Sequence, residues 1–251
     1  MRKEMGIFMM LCTVLLSGCE IDHSGNVTKA SGQPSNEQDT KQPDQEDASK
    51  LIAASPNKEV KLYKIEELKA GLKRVSLHIN GKQKKLEWNM PNTGTKPQVF
   101  YTDLTGDGEK EAIIIIQTGR GTGLDIYDIH VIQAEDLSEI KVQRYDDIVA
   151  KQIKSKVTKN GDGTLAISVK TQGKEYHFDY DFDPAPKHKQ DELYFGGVVI
   201  YGVENQTINL YLGASVGISP SYVCDFNITY KFDRAKKEYI VDQIKVEPVE
   251  K

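Results

Sequence analysis

Cysteine is scarce in this 251-residue chain, with three copies, and their positions decide what they can do. Cys12 lies inside an apolar leader and Cys19 at its end, so Cys224 stands alone in the body and no internal disulfide can staple it. On a strand, an unpaired Cys224 reads as a small buried hydrophobe rather than a nucleophile. Basic residues are not in excess either: 33 Lys and Arg stand against 37 Asp and Glu, a formal net charge of -4. Without a concentrated basic stripe nothing attracts a phosphate backbone by counterion release, so no nucleic acid partner is expected. Catalytic signatures are missing as well. His78, His130, His177 and His188 form no HxH or HxxxH pair, which leaves zinc hydrolysis without a ligand set. No G-x-S-x-G occurs, and Gly213-Ala214-Ser215-Val216-Gly217 matches it only loosely. Long hydrophobic runs are absent too, since the apolar stretch Ile7 to Leu16 is too short for a permanent membrane helix.

That stretch has another meaning. Arg2 and Lys3 precede it as a positive n-region, so residues 1–18 read as a signal peptide. Its end, Leu16-Ser17-Gly18-Cys19, resembles the lipobox of bacterial lipoproteins. The resemblance implies that Cys19 carries a diacylglyceryl group and becomes the mature N-terminus. Two acyl chains, at about 0.8 kcal/mol per buried methylene, make a lasting anchor where one would be marginal. The expected location is the extracytoplasmic face of the cell membrane, with the membrane itself as one partner.

Residues 19–57 are rich in Ser, Asn, Gln, Asp, Glu, Pro and Gly and poor in aromatic and branched residues. Such a segment cannot bury enough surface to offset chain ordering, and it reads as a disordered tether. A single body over residues 58–251 follows. Val75, Leu77 and Ile79 alternate with polar residues up to the hairpin signal Asn80-Gly81. Further runs follow at Lys85–Trp88, Val99–Leu104, Ile126–Ile132, Leu137–Lys141, Leu165–Val169, Tyr176–Phe182, Leu193–Val203, Ile208–Leu212, Tyr222–Phe232 and Tyr239–Val246. Asp146–Lys154 is the best helix. Many short strands at intervals of about ten residues predict a mainly β body of antiparallel sheets, a sandwich or barrel-like, with one or two short helices.

The organising stretch is Tyr101 to Ile116, where a polar turn runs straight into four isoleucines. In Asp103-Leu104-Thr105-Gly106-Asp107-Gly108-Glu109-Lys110-Glu111, oxygen side chains at relative positions 1, 3 and 5 converge when the chain curls. Position 7 offers its carbonyl and position 9 a carboxylate, a hard-oxygen set that suits calcium. The expected ligands are the Asp103, Thr105, Asp107 and Glu111 side chains and the Glu109 backbone. Position 12 is Ile114, which excludes an EF-hand. The competing reading is a Gly-rich turn held by Asx-type hydrogen bonds.

Asp103, Asp107, Gly108 and the strand behind them resemble the loop of FG-GAP and VCBS-type repeats, approximately D-x-N-x-D-G-x-x-D. Thr105 replaces the usual Asn or Asp, and Glu111 the usual Asp. This resemblance covers about fifteen residues and implies a structural calcium ion and a propeller-related fold. With one copy of the motif, the chain resembles a group of single-copy lipoproteins and envelope sensor domains of Gram-positive bacteria, and no activity comes with that likeness.

Thr118-Gly119-Arg120-Gly121-Thr122-Gly123 follows a strand and precedes another, so it reads as a hairpin loop rather than a phosphate cradle, which needs a helix behind it. Arg120 at its tip is the expected ligand contact. Asp179, Asp181 and Asp183 alternate as on a half-solvated strand. The expected function is a membrane-anchored, non-enzymatic binding or sensing module with a protein, glycan or peptide partner. An envelope hydrolase drawing on Asp125, Asp128 and His130 is the alternative, and a purely structural envelope protein a third reading.

Overall fold

A computed structural model of the chain describes residues 50–181, 190–217 and 219–249. The leader, Cys19, residues 20–49 of the expected tether, and Phe182, Asp183, Pro184 and His188 lie outside the described residues.

The body is mainly antiparallel β structure, as the spacing of its apolar runs predicts. Its first sheet has the order β1 (Leu51–Ala54), β2 (Val60–Glu67), β3 (Leu72–Ile79), β4 (Lys82–Asn89). Asn80 and Gly81 both take positive φ, +49° and +78°, the geometry of the tight turn that matches the twist of the strands it joins. One boundary moves. Leu51 pairs with Tyr63 and Ala54 with Lys61, so ordered structure begins inside the segment expected to be tether up to residue 57. The four apolar residues of Leu51–Ala54 follow a long polar stretch, and composition averaged over that stretch hides them.

A sheet of eight strands forms the larger part. It contains β5 (Gln98–Thr102), β6 (Glu111–Gly121), β7 (Leu124–Gln133) and β8 (Glu139–Val142) from the middle of the chain. The C-terminal third supplies β12 (Tyr194–Glu204), β13 (Thr207–Val216), β14 (Ser221–Asp233) and β15 (Glu238–Pro248), and between the two groups come α1 (Tyr145–Gln152) and a sheet of β9 (Ile153–Lys159), β10 (Leu165–Thr171) and β11 (Lys174–Tyr180). The order of the large sheet is β12-β13-β14-β15-β8-β7-β6-β5, and β12 also pairs in parallel with β7 through Val198–Asp125 and Val199–Ile126. Six strands thus close on themselves, and β6 and β5 extend from the ring at β7. Of the expected architectures, this is the barrel-like one. The helix ends at Gln152 and the chain enters β9 at once, two residues before the expected end at Lys154.

The isoleucine run has a direct structural cause. Ile113 and Ile115 pack in a core shared with the ring and the β9–β11 sheet, while Ile114 and Ile116 pack with Val60, Leu62, Val75, Leu77 and Trp88 of the N-terminal sheet. Side chains alternate along a strand, so a strand lying between two cores must be apolar at every position, not every second one. All four isoleucines are buried, none more than 3% exposed. Cys224 is fully buried in the first core, as expected of a small hydrophobe, and burial pushes its thiol up to about 12.

Candidate functional site

Two polar loops flank β6. The first joins β5 to β6 and contains the expected calcium ligands. Asp103 closes it: Oδ1 accepts from the Gly106 N–H at 2.7 Å and Oδ2 from the Gly108 N–H at 2.9 Å. Asp107 Oδ1 accepts from the Glu109 N–H at 2.9 Å. Glu111, at the start of β6, is buried and its Oε2 accepts from the Leu104 N–H at 2.8 Å. The aspartate bonds are Asx-type turn bonds, and with the Glu111 bond they hold the loop without any ion.

The electrostatics of this loop are unbalanced. Burial raises the Glu111 carboxyl above the usual range, and the nearby charges of Asp107 and Asp103 raise it further against the hydrogen bonds from the backbone. Asp107, fully exposed, is held below the usual range, first by the Glu109 N–H and then by the Thr105 hydroxyl. Thr105 Oγ1 is itself buried and has no hydrogen bond of ordinary geometry. Tyr239 Oη is likewise buried without a partner, and its phenol is raised by burial and by the charges of Glu111, Asp103 and Asp107. One cation from elsewhere in the chain answers this crowd: Arg234 Nη2 donates to the carbonyls of Thr105 and Gly106 at 3.1 and 3.4 Å.

Chemically, the loop offers hard oxygen donors of the type calcium takes. The side chains of Asp103, Thr105, Asp107 and Glu111 and the Glu109 carbonyl would hold the ion, and the buried Tyr239 hydroxyl lies without a partner beside them. Among the described residues, however, no three acidic, His or Cys side chains are grouped as a metal requires, because the carboxylates here are directed at loop N–H groups.

The second connection, between β6 and β7, is the two-residue turn Thr122-Gly123, and Arg120, expected at the tip of a loop, lies on β6 itself. A bulge precedes it: Gln117 pairs with Tyr127, but Gly119 pairs with Ile126, so Thr118 is the extra residue. That insertion changes which face Arg120 occupies. Three residues after Gln117, Arg120 belongs on the opposite face of a regular strand. With the bulge it stands directly across from Asp125, which shares a face with Tyr127 two residues on. Bulges commonly re-aim a side chain in this way.

The result is a cavity of about 460 Å³, lined by Gln117, Arg120, Asp125, Tyr127, Leu124 and Val198 among others. Gln117 is buried, and its Nε2 donates to Asp125 Oδ1 at 2.7 Å and to Tyr127 Oη at 3.2 Å. A carboxylate only accepts, so this contact fixes which end of the amide faces Asp125. The other end, Gln117 Oε1, is buried and has no partner. Arg120 makes no ion pair among the described residues. Tyr127 is raised by burial and by Asp125 beside it. The glycine loop is tied down from outside by Tyr222, whose Oη donates to the Gly123 carbonyl at 2.6 Å.

No protein-family model, curated protein or solved structure matches this chain.

The remaining residues of the sequence reading separate. Asp125 and His130 are five apart on β7 and so face opposite ways. His130 stacks on Trp88 at 4.3 Å between centroids and meets Glu139 Oε1 through Nδ1 at 2.7 Å. Asp128 acts on Arg144 and Tyr201, so the three groups of the hydrolase reading do not converge. His78 meets Ser76 Oγ at 2.8 Å, and His177 meets Glu175 at 3.2 Å. Asp179 accepts from Asn160 Nδ2 at 3.4 Å. Ser215 sits within β13, its carbonyl accepting from Gln190. Gln117, which the sequence reading passed over, ends the isoleucine run, and a polar residue terminating an apolar strand beside a glycine loop was the available signal.

Proposed function

We propose that the chain is a membrane-anchored extracytoplasmic lipoprotein, held through Cys19, whose β body acts as a non-enzymatic binding or sensing module, and whose Asp103–Glu111 loop takes one structural calcium ion. The observation that carries the binding reading is the open cavity beside the glycine loop. Beside it the buried Gln117 Oε1 has no partner among the described residues, and buried polar groups left unpaired are costly unless something supplies the missing bond; the exposed Arg120 guanidinium makes no ion pair there. A photo-crosslinkable residue at Thr122, in the full lipidated chain on intact cells, is expected to give an adduct that Arg120→Ala removes. No Arg120-dependent adduct would sink this reading. In the same cells, Cys19→Ala is expected to release the protein from the membrane fraction.

Support for calcium comes from the oxygen spacing of the loop, from the charges of Asp107 and Asp103 that act on Glu111, and from the buried Tyr239 hydroxyl that has no partner. Burial is the first cause of the raised Glu111 carboxyl and the charges of Asp107 and Asp103 add to it, and a cation among them relieves that added repulsion. Saturating the native state at about a hundred times the dissociation constant adds roughly 2.7 kcal/mol. The expected result is a rise in Tm on moving from chelator to millimolar calcium, lost in Asp107→Ala. An unchanged Tm in the wild type, or an equal rise in the variant, would remove the ion.

A further inference from the structure

The cavity beside the glycine loop has a charge pattern that restricts what can enter it. Arg120 and Asp125 stand directly opposite one another on neighbouring strands, yet no ion pair joins them. Asp125 instead accepts from Gln117 Nε2 at 2.7 Å. The cavity therefore presents one unshared cation and one carboxylate, and Gln117, which lines it, keeps a buried acceptor, Oε1, that needs a donor. Leu124, 45% exposed despite its size, and Val198 add an apolar wall.

Each simple ligand class meets an obstacle here. A lone anion that reaches Arg120 lies against Asp125, and it brings no N–H for Gln117 Oε1. A lone cation satisfies Asp125 and Gln117 but is repelled by Arg120. A molecule bearing an anion and an N–H cation a few ångströms apart satisfies all three, and a short apolar substituent suits Leu124 and Val198. The volume of about 460 Å³ lies in the range of small-molecule sites.

We infer that this cavity binds the zwitterionic head of a free α-amino acid, with Arg120 on the carboxylate, Gln117 Oε1 and Asp125 on the ammonium, and Leu124 and Val198 against the side chain. Bidentate geometry makes a guanidinium the suited partner for a carboxylate, and the bulge at Thr118 is what brings it to this face. Tyr222, through Gly123, fixes the turn that joins the two strands carrying Gln117, Arg120 and Asp125. The inference rests on reading the chain as a binding module and names the ligand of that module.

The test is calorimetric titration of the full chain with a panel of free amino acids at up to about 10 mM, beyond millimolar affinity. Binding of at least one amino acid with an apolar side chain is expected. Its N-acetyl derivative, which lacks the ammonium, and its amide, which lacks the carboxylate, are each expected to bind at least about tenfold more weakly, since each leaves a charged partner unpaired. Arg120→Ala is expected to lose binding with an unchanged apo Tm, because that side chain makes no bond within the described residues. Asp125→Asn tests the ammonium end in the same way, with its apo Tm as the folding control. No binding by any amino acid, equal binding of acetate, or wild-type affinity in Arg120→Ala would overturn the inference. Arg120-dependent crosslinking on cells combined with no amino acid binding would overturn this ligand while leaving the binding module standing.

Discussion

The Tyr222 hydroxyl donates to the Gly123 carbonyl at 2.6 Å, a bond between β14 and the glycine loop across 99 positions of sequence. Two glycines make room for it. A Cβ at Gly213 would lie 2.9 Å from the Tyr222 ring, and one at Gly197 would collide with its hydroxyl. Tyr222→Phe keeps the ring and removes the bond, and about 0.5–1.5 kcal/mol of stability is expected to go with it. Gly213→Ala displaces the ring itself and is expected to cost about 1–3 kcal/mol. Urea unfolding reads both, and hydrogen exchange at residues 121–124 should speed up in each variant. Protection there equal to the wild type would mean that the loop holds its own shape.

Burial of β6 on both faces gives a second expectation. Ile114→Ala opens the core under the N-terminal sheet and Ile115→Ala the core inside the ring, so both are expected to cost about 2–5 kcal/mol. If β6 had one solvated face, one of the two would be nearly silent. Equilibrium unfolding of the pair separates these outcomes.

That same run explains how far the sequence could be read. Four adjacent isoleucines announce a strand buried on both sides, and Asn80-Gly81 fixes a hairpin, because each signal is local. The closure of β12 onto β7 is not local. It depends on two residue pairs, Val198–Asp125 and Val199–Ile126, separated by more than seventy positions, and no periodicity encodes such a meeting. The site divides the same way. Arg120 was legible as an exposed guanidinium among glycines. Its neighbours in the cavity, Gln117 and Asp125, were not legible as neighbours, because the bulge that puts Arg120 on their face shows only in the register. In the Asp103–Glu111 loop the oxygen spacing was plain, while Arg234 and Tyr239 arrive from the far end of the chain with no motif to signal them.

Arg234 supplies the third prediction. Its guanidinium bonds the carbonyls of Thr105 and Gly106 and helps hold Asp107 in its charged form, so it supplies part of what a bound cation would supply. Arg234→Ala is expected to lower Tm in chelator, since the loop carboxylates lose their counter-charge. In calcium the same variant is expected to show a larger rise than the wild type, because the ion then answers the whole charge crowd. A smaller rise would mean that Arg234 cooperates with the ion instead of standing in for it. Differential scanning calorimetry in both conditions decides between these outcomes.

Cys224 provides a probe of the whole fold. Burial pushes its thiol up to about 12, and the thiolate is the reactive form. At pH 8 a thiol raised in this way stays almost wholly in its unreactive neutral form, and Cys224 is fully buried. The sign is simple: a raised thiol stays neutral in the native state and becomes ordinary on unfolding, so reactivity follows exposure of the core. Labelling of the mature chain with an aromatic disulfide at pH 8 is therefore expected to be slow in buffer and to accelerate through the urea transition. If Cys19 carries its lipid, Cys224 is the single thiol of the mature chain, and one equivalent of reagent is consumed after unfolding. Rapid labelling in buffer would place the opening of β14 below the global stability, and tyrosine fluorescence in the same samples would show whether the ring opens before the rest.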